Sequence, residues 1–366
     1  MSDPLATSAA ESPSRPPAMA LIRTLIVDDS AFVRKVVREM LSRSPYIDVV
    51  GAARDGEDAL RMVEELRPDV VTCDLMMPRL DGEAFVRLQM ARRPLPILIL
   101  SASPQDADQV MSALNAGAVD FVRKPTALAT EELLGIRAEL VEKVKAAARA
   151  PVDTLRAAAD PMPVTPMEPM GIARGKPRID AVVIGVSTGG PQALRRLLPK
   201  LPVDLSVPVA IVLHMPVGYT GPFAQKLAEI CAIKVVEARD GEVFRPGVAV
   251  LAQAGRHLVL ERNAAGQLVT RLTMQPIDKL HRPSVDVLFQ SAAQTLGNRV
   301  LGVVMTGMGE DGREGCAWLK AQGGIVLTES QASCVIYGMP RSVDEAGLSD
   351  ASVHLDHMAE TILHHL

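Results

Sequence analysis

The four cysteines, Cys73, Cys231, Cys316 and Cys334, are scattered, and no two stand at C-x-x-C spacing. That excludes a zinc site of paired cysteines and a disulfide framework, and the thiols read as buried groups of a cytoplasmic protein. No stretch of about 18 apolar residues occurs, so no membrane insertion is expected. The first twenty residues carry Ser2, Pro4, Ser8, Ser12, Pro13, Ser14, Pro16 and Pro17 with no apolar run between them. They read as a disordered tail over 1–20 and not as a signal peptide. A basic excess is lacking as well: the net charge is −4, which argues against nucleic acid as a partner.

What is present fits two domains. The chain has 366 residues, about twice the length of a typical domain, and 48% of them are hydrophobic, enough for two cores. From residue 21 strand and helix signals alternate. Strands are expected at Leu21–Val27, Ile47–Val50, Val70–Cys73, Pro96–Leu100 and Val119–Val122. Thr130 is placed to cap a last helix with Leu133, Ile136, Leu140 and Val144 on one face. Five β/α units over 21–145 imply a flavodoxin-like, doubly wound parallel α/β fold. Residues 146–178 are rich in Pro and Ala and show no periodicity, as a linker does.

A second α/β domain is expected over 179–366, mainly parallel, with strands at Ala181–Gly185, Pro208–Leu213, Val300–Met305 and Ile325–Thr328. Three short segments, Gly247–Leu251, His257–Leu260 and Leu268–Leu272, suggest an antiparallel insertion beside the parallel sheet.

Chemistry-bearing residues stand at the strand ends. Asp28 and Asp29 follow the first strand, Asp74 the third, Ser101 the fourth and Lys124 the fifth. In an open α/β sheet those ends share one edge, so the side chains converge. Three carboxylates there call for a cation, and Mg²⁺ suits oxygen ligands. With the charge neutralised, Asp74 is the best placed to attack phosphorus, Lys124 to balance the phosphoryl charge and Ser101 to hydrogen-bond it. Single Asp residues at strand ends are often just solvated caps; all of these in this order are not.

These residues resemble the response-regulator receiver family. The resemblance rests on Val27-Asp28-Asp29-Ser30, Asp74-Leu75-Met76-Met77-Pro78 with Asp81-Gly82, Ser101-Ala102 and Phe121-Val122-Arg123-Lys124-Pro125. It implies phosphoryl transfer from a histidine kinase to Asp74. It also implies a switch in which Ser101 moves toward the phosphoryl group and Phe121 rotates inward.

In the second half, Gly185-Val186-Ser187-Thr188-Gly189-Gly190 follows a strand and opens a helix near Pro191. Gly-x-Ser-x-Gly is the pattern of a nucleophile elbow, with helix-start N–H groups near the serine. The pattern lacks the lysine of a phosphate loop, and a plain glycine-rich turn is the ordinary competitor. His214 ends another strand and is the candidate base. The loop Thr306-Gly307-Met308-Gly309-Glu310-Asp311-Gly312 offers two acids, Glu310 and Asp311, between which the residues alone do not choose. The order Ser, His, acid differs from that of α/β hydrolases. His354, His357, His364 and His365 read as ordinary residues of a C-terminal helix.

Ile184 to Pro191, His214-Met215-Pro216, His281-Arg282-Pro283-Ser284-Val285-Asp286, Thr306 to Gly312, Ala332-Ser333-Cys334-Val335 and Gly338-Met339-Pro340 are similar to the CheB-type methylesterase domain. That family commonly has Ala where Val186 stands. The resemblance implies Ser187, His214 and Asp311 as the catalytic residues. It puts Thr188 and Met308 beside the oxyanion, and His281 and Arg282 on the substrate cleft. It implies methyl-accepting chemoreceptors as substrates, with demethylation of glutamate esters and deamidation of glutamines, and no cofactor for the esterase. It further implies that the unphosphorylated receiver packs over the hydrolase cleft. The rivals are a DNA-binding output, a catalytically silent receptor-binding regulator and the same esterase in a non-chemotaxis pathway. The DNA-binding rival is disfavoured, since residues 180–366 hold 16 Lys and Arg against 18 Asp and Glu.

Overall fold

The computed structural model describes residues 21–125, 130–150 and 179–366. The expected tail over 1–20, most of the expected linker and the Thr130 and Leu133 side chains lie outside the described residues.

The first domain alternates β1 (Ile22–Val27), α1 (Ala31–Leu41), β2 (Ile47–Ala53), α2 (Gly56–Leu66), β3 (Val70–Asp74), α3 (Gly82–Arg92), β4 (Ile97–Ser101), α4 (Ala107–Asn115), β5 (Asp120–Arg123) and α5 (Thr130–Ala147). All strand pairs are parallel, in the order β2-β1-β3-β4-β5. Strands β3 and β4 are buried along their whole length, as strands covered by helices on both faces must be. Ser30, Asp55 and Asp81 cap α1, α2 and α3 by accepting the N–H of Val33, Asp58 and Ala84. Helix α5 carries Leu140 and Val144 into the core and runs on to Ala147.

The second domain holds β6 (Ala181–Val186), α6 (Gly190–Leu197), β7 (Val209–Leu213), α7 (Thr220–Ala228), β8 (Lys234–Glu237), β9 (Val248–Leu251), β10 (His257–Arg262), β11 (Leu268–Thr273), α8 (Val285–Leu296), β12 (Val300–Val304), α9 (Arg313–Ala321), β13 (Ile325–Glu329), α10 (Met339–Glu345), β14 (Ala351–Val353) and α11 (Leu355–His365). Its seven-stranded sheet runs β14-β13-β12-β6-β7-β9-β8, again with parallel pairs. Among the described strands only β10 and β11 pair antiparallel, and Val243 adds an isolated antiparallel bridge to Val269. Gly247–Leu251 is therefore not part of an antiparallel insertion: it forms β9, flanked by β7 and β8 in the main sheet. Its partners come from distant stretches, which local pattern does not reveal. The short edge strands β8 and β14 escape notice because they have few buried positions.

One continuous apolar cluster runs from the receiver-like domain into the second. At the seam Tyr219 is fully buried. Its ring lies 4.7 Å from that of Phe121. Its hydroxyl donates to Ser103 O at 2.8 Å and sits 2.8 Å from Ser101 Oγ. Gln192 of α6 donates to Ala118 O at 2.5 Å. The seam thus lies against the start of β5, the preceding α4–β5 connection and the Ser101–Ser103 end of β4.

Gly82 packs its backbone beneath β3. A Cβ there would lie 2.1 Å from Asp74 O and 2.8 Å from Leu75 Cα, both rigid backbone. Gly82→Ala should cost about 1–3 kcal/mol. A lowered urea midpoint of the first domain's unfolding checks this, and an unchanged midpoint would contradict it.

Candidate active site

Asp28, Asp29 and Asp74 each offer an oxygen, and these oxygens lie within 4.8 Å of one another. Asp28 and Asp74 are buried and Asp29 is exposed. Asp28 Oδ1 accepts the Ser30 N–H at 2.9 Å, and Asp74 Oδ1 accepts the Met76 N–H at 3.2 Å. Lys124 Nζ bridges the two buried carboxylates, 2.9 Å from Asp28 Oδ2 and 2.6 Å from Asp74 Oδ2. Burial raises the Asp74 pKa above the usual carboxylate range, and Lys124 opposes that rise. Two buried carboxylates and one exposed one, with a single ammonium between them, leave net negative charge in a hard-oxygen cradle. That donor set fits a small divalent cation. A receiver domain implies a phosphorylation site that typically binds Mg²⁺.

Ser101 and Phe121, the expected switch residues, are both buried. Neither faces an open surface, because Tyr219 of the second domain lies against both. Nothing in the local sequence marks Tyr219 for this role.

The second cluster forms where the chain order of the seven-stranded sheet reverses, between β6 and β12. Ligands favour such switch points. Ser187 follows β6, His214 follows β7, and the 306–312 loop follows β12. Ser187 N donates to Thr306 O at 3.0 Å, and His214 N to Val186 O at 3.1 Å, tying the three strand ends together. A Cβ on Gly307 would come within 2.8 Å of Ser187 Cβ. Glycine there lets the loop pass directly beside the serine.

His214 Nε2 and Asp311 Oδ2 are 2.8 Å apart. Asp311 also accepts from Ser284 Oγ at 2.8 Å, from Val285 N at 2.8 Å and from Asp286 N at 3.0 Å. The last two are first-turn N–H groups of α8, whose dipole favours the anion. Burial alone would raise the Asp311 pKa, but His214 and these donors outweigh it and hold it below the usual range. Glu310, the competing acid, is exposed and pairs with Arg313 at 3.0 Å. The geometry therefore places Asp311, and not Glu310, at the histidine.

Asp286 answers from the other side. Its Oδ1 accepts Gly312 N at 2.9 Å and Gly315 N at 2.8 Å, the start of α9. Each carboxylate thus caps the element that carries the other. The resemblance puts Ser284 on the cleft-lining segment with His281 and Arg282, and the sequence motif gives Asp286 no role.

His281 stacks on His214, with ring centroids 4.0 Å apart and 19° between planes. Burial, helped by the neighbouring His214, pushes His281 down to about 4. Arg282 bonds its own loop instead, Nη2 donating to Ile277 O at 3.0 Å. Thr188 is buried, and its carbonyl accepts Thr306 Oγ1 at 2.9 Å. Met308 lines a cleft shared with Tyr337 and Gly338. No described hydrogen bond joins Ser187 Oγ to His214, and Nδ1 of that ring is buried without a partner.

Behind the loop, buried Glu329 accepts Thr306 N at 2.9 Å. Burial pushes its carboxyl up to about 7. The folded state therefore holds this proton longer than the unfolded state, and stability falls as pH rises from about 4.5 to about 7. The total is about 3 kcal/mol. Glu329→Gln should lack this slope. Urea midpoints at about pH 5 and about pH 8 check it: parallel behaviour of wild type and variant would contradict it.

Both domains have known relatives. The CheB methylesterase family model matches residues 182–362, and the response regulator receiver domain model matches 24–135. A Myxococcus xanthus protein named protein-glutamate methylesterase/protein-glutamine glutaminase 5 is 49% identical over 346 residues, covering 94% of this chain and 98% of its own. A Pyrococcus horikoshii protein named protein-glutamate methylesterase/protein-glutamine glutaminase is 38% identical, covering 93% of each chain. The crystal structure of the Thermotoga maritima CheB methylesterase catalytic domain aligns with a TM-score of 0.50 at 35% identity, over 51% of this chain and 99% of that one. With a receiver edge at its head and a Ser187–His214–Asp311 cluster on its second sheet, the chain belongs to the CheB family of receiver-linked methylesterases.

Proposed function

We propose that the chain demethylates glutamate methyl esters on methyl-accepting chemoreceptors, releasing methanol, and deamidates receptor glutamines, under control of phosphorylation at Asp74. The observation that carries the reading is the His214–Asp311 pair beside Ser187 at the sheet's switch point. Among the described residues no helix is long and apolar enough to cross a membrane. The enzyme acts in the cytoplasm, on the receptors' cytoplasmic segments.

Ser187 Oγ attacks the ester carbonyl and gives its proton to His214. An ionised Asp311 can only accept, so Nε2 carries the hydrogen between them. Nδ1 is then the base, and it is the buried ring nitrogen with no protein partner. Asp311 stabilises the imidazolium as it forms. His281 remains neutral near pH 7, so its stacked ring adds no repelling charge. The N–H groups of Thr188 and Met308 donate to no described acceptor and receive the oxyanion. The tetrahedral intermediate expels methanol, which takes the proton from His214. Water attacks the acyl-enzyme by the same route and frees a glutamate carboxylate. With a glutamine substrate, ammonia leaves instead.

A histidine kinase supplies the phosphoryl group to Asp74. Asp28, Asp29 and Asp74 would hold Mg²⁺, which supplies charge neutralisation at that carboxylate when bound. Lys124 and Ser101 face the phosphoryl oxygens. Ser101 cannot serve them and Tyr219 together. Phosphorylation therefore weakens the seam, Phe121 repacks, and the population shifts toward an open hydrolase.

Ser187→Ala should cut methanol release from methylated receptors by at least about a thousand-fold. Retained release would sink the assignment of the nucleophile.

A further inference from the structure

A glutamyl ester is a small handle. Selecting a protein demands contact beyond it, since affinity per buried atom is limited.

The surface around the histidine stack supplies that contact. Leu280 is 91% exposed, Ile277 67% and Val217 64%. Single exposed apolar residues are ordinary, but a group around one catalytic mouth is not. Four of the seven exposed large hydrophobics of the second domain, Val217, Met274, Ile277 and Leu280, lie on the loops carrying His214 and His281.

These loops are fastened to each other. A Cβ on Gly255 would sit 3.1 Å from Val217 Cγ2. Gly255 N donates to Arg282 O at 2.9 Å, and Arg282 reaches Ile277 O. His257 Nε2 lies 3.0 Å from Pro276 O, and His257 Nδ1 accepts Ser284 N at 3.2 Å. Lys279 pairs with Asp286 at 3.2 Å. The backbone is therefore held while the apolar side chains stand in solvent. Arg256, beside Gly255, is exposed and forms no ion pair among the described residues.

Resting on the function proposed above, we propose that Val217, Ile277, Leu280 and Arg256 form the docking rim for the acidic receptor segment that bears the glutamyl ester. Each turnover leaves a glutamate carboxylate on that segment, a negative charge that the exposed Arg256 complements. The rim is continuous with the cleft through His281. A segment presenting its ester to Ser187 must cross it.

The test measures methanol release from methylated receptor membranes by the full chain, alongside the rate of Ser187 labelling by a fluorophosphonate, which needs only the triad. The double variant Ile277→Ser/Leu280→Ser should raise KM about thirty-fold or more with labelling unchanged. Arg256→Glu should raise KM several-fold and flatten its salt dependence. An unchanged KM in both the double variant and Arg256→Glu would overturn the docking rim. Absence of methanol release by the wild type would instead overturn the proposed function beneath it.

Discussion

The Tyr219 hydroxyl is where the two halves of this chain become one molecule. It lies 2.8 Å from Ser101 Oγ and donates to Ser103 O, with the Tyr219 and Ser101 side chains both buried. A buried hydroxyl needs its partners, because an unmade bond there costs about 1–3 kcal/mol. The same serine stands at the carboxyl edge where Asp74 and Lys124 meet. One side chain therefore has two mutually exclusive uses. That exclusivity gives the proposed switch its two states, and the ring of Phe121 under Tyr219 spreads the change over an apolar contact.

The hydrolase cluster rests on a different constraint, the confinement of two carboxylates. Asp311 and Asp286 repel each other, and burial penalises both. Each is made tolerable by helix-start N–H groups that belong to the other's element. The result is a rigid acid at His214 that needs no further support from solvent. Removing either carboxylate would free a loop and an N–H set at once. The 306–312 loop is held a third time, from behind, by Glu329.

The receiver edge was legible in the sequence because its residues directly follow apolar strands, so topology alone gathers Asp28, Asp29, Asp74, Ser101 and Lys124. Ser187 and His214 were legible for the same reason. Spacing alone does not choose the acid, because Glu310 and Asp311 are adjacent; the family resemblance implies Asp311, and the position of the α8 N-terminus shows why that carboxylate, and not Glu310, stands at His214. Tyr219 and Gln192 act across a domain seam, which no local pattern encodes. The sheet to which β9 belongs is not legible in the sequence, because its neighbours, β7 and β8, are specified by long-range packing and not by its own four residues.

The most direct measurement is the initial rate of methanol release from methylated receptors, with and without a small phosphodonor, for the wild-type full chain and for Tyr219→Phe. The expected result is a several-fold rise for the wild type on adding the phosphodonor. The variant, which lacks the hydroxyl bound to Ser101, should start fast and gain little. A wild-type rate indifferent to the phosphodonor, with Tyr219→Phe no faster at rest, would contradict control of the hydrolase through this seam.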